Sequence, residues 1–79
     1  MNSSNPFPLQ ERIVKLEEQA NSLYSHGDLE GAMDLYKECE RLARELGDES
    51  SVARMLGNQG NVLTIRGQLD GALAVYRGI

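Results

Sequence analysis

The chain carries one histidine and one cysteine, His26 and Cys39. An imidazole beside a thiol is the beginning of a nucleophilic pair, but catalysis also needs a group that orients the base. His26 stands instead next to Gly27 at the end of a helical pattern, where a histidine serves as a terminal hydrogen-bond donor. One cysteine excludes an internal disulfide and any cysteine-rich metal site. The acids of Glu17-Glu18 and of Glu38 and Glu40 are the type used in general acid–base chemistry. Lys15, Lys37, Arg41 and Arg44 surround them. Ion pairs at helical spacing, Glu40–Arg44 and Asp34–Lys37, account for such acids without catalysis. No phosphate-binding loop, metal set or triad occurs, so the sequence predicts no enzyme, no catalytic residue and no cofactor. The remaining candidates are neutral amides. Asn21, Asn58 and Asn61 fall inside helical patterns, where Asn is a poor choice for stability. An amide donates and accepts at once, so it can pair with a peptide backbone whatever the peptide's side chains are.

These residues are positioned by helices. Residues 1–8 form a polar tail with Pro6, and Pro8 suits a first helical turn. From Leu9 the apolar residues Leu9, Ile13, Leu16, Ala20, Leu23 and Tyr24 recur at steps of three and four, one stripe of a helix. His26-Gly27 ends it and Asp28 caps the next. The second helix carries Leu29, Ala32, Met33, Leu35, Tyr36, Cys39, Leu42, Ala43 and Leu46, and Gly47 closes it. Asp48 caps a third, with Val52, Met55, Leu56, Gly60, Leu63 and Ile65, that runs to Arg66-Gly67. A fourth starts near Leu69 and is cut short at Ile79. No strand alternation appears. Connections this short make neighbouring helices antiparallel. The expected fold is all-α, two helical hairpins.

The two hairpins repeat one another. Gly27, Leu29, Gly31, Ala32 and Tyr36 recur forty residues later as Gly67, Leu69, Gly71, Ala72 and Tyr76. In the wider pattern the first copy gives Leu16, Ala20, Leu23, Gly27, Leu29, Ala32, Tyr36 and Cys39. The second gives Leu56, Gly60, Leu63, Gly67, Leu69, Ala72, Tyr76 and Ile79. Over residues 13–79 this resembles the tetratricopeptide repeat family. The period is forty rather than the usual thirty-four and the closing proline is missing. Both features, with "ARELGD" followed by "LGNQGNV", are similar to the long-repeat branch that includes kinesin light chains and spindle-orientation scaffolds.

The resemblance implies a superhelix of stacked hairpins, with repeat 1 over 9–47 and a truncated repeat 2 over 48–79. It implies a protein or peptide partner held on a concave face lined by the first helix of each pair. Carried over by position, that face comprises Glu17, Asn21 and Tyr24 from copy one and Arg54, Asn58 and Asn61 from copy two, with Val14, Glu18, Ser25, Gly57 and Thr64 beside them. It puts Cys39 in the core as an inert thiol. The clamp that some family members use for C-terminal carboxylates is excluded, because Glu17 stands where that clamp needs a lysine. A repeat array normally needs about three copies to bury its faces. The second copy here is incomplete, which implies either a piece of a longer array or self-association through Leu69, Leu73 and Tyr76 into a homo-oligomer.

Charge narrows the partner further. Residues 1–50 hold 11 acids and 5 bases, net −6, and residues 51–79 hold 1 acid and 3 bases, net +2. An acidic first half argues against nucleic acid, whose phosphates need a basic face. No apolar run approaches the roughly 18 residues of a membrane span, and the start "MNSSNPFPLQ" lacks a secretory pattern. These readings predict a cytoplasmic, soluble protein.

Overall fold

The computed structural model describes residues 8–77, with the backbone alone at 71, 72 and 74–76. Three α-helices follow one another: α1 (Leu9–Ser25), α2 (Leu29–Leu46) and α3 (Glu49–Tyr76). The first two connections match the sequence reading. Gly27, at φ 87°, turns the chain after α1. His26 finishes that helix, its Nδ1 donating to the Ser22 carbonyl at 2.7 Å. Asp28 then caps α2, its carboxylate accepting from the Gly31 amide at 2.9 Å. A Cβ on Gly31 would lie 2.6 Å from the Asp28 carboxylate and would push the capping side chain aside. Gly47 closes α2 in the left-handed region, at φ 77°. Asp48 starts α3, accepting from the Ser51 amide at 3.2 Å and from the Ser51 hydroxyl at 2.6 Å.

The core lies where α1 and α3 meet the buried face of α2. It holds Ile13 and Ala20 from α1, Ala32, Met33, Tyr36, Cys39, Leu42 and Ala43 from α2, and Met55 and Val62 from α3. Ala20, Ala32 and Ala43 are fully covered, so these small residues set how closely the helices approach. Cys39 is fully buried, its thiol directed at the Ile13 carbonyl at 3.6 Å. Burial pushes its pKa up to about 11, so at neutral pH it is a protonated core thiol. Outside the core, Glu40 pairs with Arg44 at 2.7 Å as expected. Asp34–Lys37 is not among the ion pairs of the described residues. On that surface Arg41 reaches both Glu38 and Glu45 at 2.6 Å.

The second hairpin is where expectation and structure part. The sequence reading ends the third helix at Arg66-Gly67 and begins a fourth near Leu69. In the structure α3 continues through both, 28 residues without a break, so the described residues form three helices rather than four and the two copies differ in conformation. The cause is local. Where the first turn has the capping Asp28, the second has Gln68, a good helix former whose longer side chain is not a preferred cap. Gly67 therefore stays helical and does not adopt the positive φ of Gly27. At 1.5 Å per residue, α3 is about 42 Å long and overhangs α2 by about 15 Å. Among the described residues no helix is long and apolar enough to cross a membrane.

Candidate functional site

Two antiparallel steps make α1 and α3 run in the same direction on one side of α2. Their facing residues are joined by an ion pair. Arg54 donates through Nε to Glu17 at 3.0 Å and through a terminal nitrogen at 3.2 Å, a two-pronged contact across 37 residues of sequence. Ser51 extends it, its hydroxyl lying 3.5 Å from Arg54 and held in turn by Asp48. Glu17 and Arg54, both assigned to the groove from sequence, are thus brought together. They neutralise one another, so this part of the face offers little net charge.

From that pair two stripes run in parallel. Glu17, Asn21 and Tyr24 follow at steps of four and three on α1; Arg54, Asn58 and Asn61 follow at the same steps on α3. Asn58 is half-buried, its amide 3.9 Å from the Met55 sulfur, and Asn61 is exposed. Tyr24 is half-buried and lines a cleft with Ser25, Gly27, Leu29, Ile65 and Leu69. Thr64 bonds back to the Gly60 carbonyl at 2.9 Å, which takes its hydroxyl into the helix.

Asn21 has a second occupation that its position in the repeat does not reveal. Its side-chain oxygen accepts a hydrogen bond from the Tyr36 hydroxyl. Burial, and then the nearby Glu17, push the Tyr36 pKa above its ordinary value, so the hydroxyl stays protonated and donates. Tyr36 is 3% exposed. Asn21 therefore satisfies a buried phenol while the residue itself stays exposed. A second contact missed from sequence joins α2 to α3: Gln59 donates to Glu40 at 2.8 Å. That bond, with Arg44, holds the Glu40 carboxyl below its ordinary range. Neither contact has a local signature, because 15 and 19 residues separate the partners.

The residues assigned to self-association lie on the overhang. Leu69 is 54% and Leu73 49% exposed, and the Tyr76 side chain lies outside the described residues. Leu56 and Leu63, placed by the sequence reading among the apolar residues of the third helix and in the repeat pattern, are 46% and 57% exposed. The physical reason is the straight α3, since among the described residues no fourth helix returns to cover them. Among the described residues no three His, Cys, Asp or Glu side chains converge on a metal position. Compared with family models, curated proteins and solved structures, the chain matches none.

Proposed function

We propose that this chain is a protein-interaction module that holds an extended peptide, or an extended segment of a partner protein, along the joint face of α1 and α3. The observation that carries the reading is the Glu17–Arg54 fork, which bridges the two helices whose groove residues it belongs to. Beside it Tyr24 offers a ring, and Asn58 and Asn61 offer amides that can bond a peptide backbone in either polarity. The resemblance to tetratricopeptide repeats supports the same use of the same face, with the first hairpin and the start of α3 standing for one repeat and the first helix of the next. The neutralised charge favours a partner recognised by backbone and shape over one recognised by charge. No reaction is assigned: His26 is committed to a helix end and Cys39 to the core.

The test is selection of short peptides from a random displayed library on the immobilised chain, followed by titration of the winners against variants. Asn58→Ala with Asn61→Ala is expected to weaken binding about tenfold or more, the loss of one to two hydrogen bonds, with helical circular dichroism unchanged. Asn21 is unsuitable for this purpose because its removal also strands the Tyr36 hydroxyl. Selection of no peptide, or affinities unmoved by the double substitution, contradicts the reading.

A second reading, self-association, is favoured by one observation: Leu56, Leu63, Leu69 and Leu73 are all about half exposed along one helix.

A further inference from the structure

The exposed leucines of α3 do not form one patch. Leu69 and Leu73 lie on a different side of the helix from Leu56 and Leu63, as their spacing at about 100° per residue requires. The second pair belongs to a stripe of its own: Leu56, Gly60, Leu63, Gly67, at steps of four, three and four. All four residues are exposed. A Cβ placed on Gly60 or Gly67 would meet nothing within 4 Å, so neither glycine is explained by close packing inside the chain. Both weaken the helix they sit in.

The order of this stripe is self-complementary. Read from its other end it is Gly, Leu, Gly, Leu at the same four-three-four spacing. Two such stripes laid antiparallel about a two-fold axis between Gly60 and Leu63 set each leucine against a glycine: Leu56 over Gly67 of the other copy, and Leu63 over Gly60. These are knobs entering notches, at the near-heptad spacing that lets two helices cross at a shallow angle and approach closely. A two-fold contact of this kind uses the same patch on both subunits.

We infer that a second copy of this chain docks on this stripe, α3 against α3, antiparallel. The inference rests on the self-association reading and moves its contact from Leu69 and Leu73 to Leu56 and Leu63. The repeat explains why the place is vacant. In the first hairpin α2 covers Leu16, Ala20 and Leu23. Their counterparts forty residues on are Leu56, Gly60 and Leu63, left bare because α3 runs straight through Gly67. A partner's α3 enters where the returning helix would lie, and in the same direction. Charge agrees. With the two-fold axis between Gly60 and Leu63, Arg77 of each copy comes within one turn of Glu49 of the other, and Glu49 stands seven residues before Leu56 on the same stripe.

Sedimentation equilibrium of the full chain and of two variants tests this, with circular dichroism to check that each variant remains helical. The full chain is expected to be a dimer. Leu63→Glu is expected to weaken the dimer at least about tenfold by placing a charge in the contact. Gly60→Leu is the discriminating change. It adds apolar surface and helix propensity, so unspecific sticking of leucines would tighten association. Filling the notch that receives Leu63 is expected instead to weaken the dimer at least about tenfold. A monomeric full chain overturns the self-association reading and this arrangement together. A dimer that Gly60→Leu leaves intact or tightens overturns the arrangement alone.

Discussion

Leu42→Ala is expected to lower the unfolding free energy by about 3 kcal/mol. Leu42 is 1% exposed on the face of α2 buried in the common core. Its replacement removes apolar contact and leaves a cavity among helices that cannot close up, because Ala20, Ala32 and Ala43 already hold them at short range. A chain of 79 residues has a stability of only a few kcal/mol from a single core. The variant should therefore lose about 15 °C in melting temperature and sit near the limit of folding. Urea titration followed at 222 nm measures it. A loss below about 1 kcal/mol would mean that this side chain is not where the core closes.

The second large effect compares equivalent positions of the two copies. Ala20→Leu is expected to cost about 2 kcal/mol, since Ala20 is fully buried and the added atoms must displace a neighbouring helix. Gly60 is its counterpart forty residues on. There the same leucine meets open space and replaces a poor helix former. Gly60→Leu is therefore expected to leave the folding of the isolated chain unchanged or to improve it by about 1 kcal/mol. Thermal unfolding at low concentration, where association is suppressed, reads both. Equal costs at the two sites would mean that the second hairpin is closed like the first.

That comparison also shows how far the sequence is legible. The ends of α1 and α2, the caps at Asp28 and Asp48 and the helix-end role of His26 all follow from local rules, and the burial of Cys39 from its place in the repeat. A capping carboxylate or a left-handed glycine acts within one turn. The period of apolar residues likewise places Ile13, Ala20, Met33 and Tyr36 inside. It fails at Gly67, because the glycine alone suggests a turn and the decisive residue is the next one. Asp28 supplies a cap; Gln68 does not, and the helix goes on. The error then propagates: Leu56 and Leu63 belong to the repeat pattern of a closed hairpin and stand about half exposed in an open one, while Val62, absent from the expected series, joins the buried core. On the proposed binding face, position in the repeat picks out Glu17 and Arg54 without indicating that they bind each other. It picks out Asn21 without indicating the Tyr36 hydroxyl. Such pairs depend on how three helices are set side by side, which no spacing within one helix specifies.

The continuity of α3 is what separates this fold from a closed pair of hairpins, and one distance decides it. Spin labels on Ser50→Cys and Arg77→Cys, both exposed, would be read by pulsed dipolar spectroscopy. The labelled chain is diluted into an excess of unlabelled chain so that only distances within one molecule are seen, and buried Cys39 is slow to label. An unbroken helix predicts a separation of about 40 Å between the labelled backbone positions. A single distance below about 20 Å, with the chain reversing at Gly67, would contradict the account.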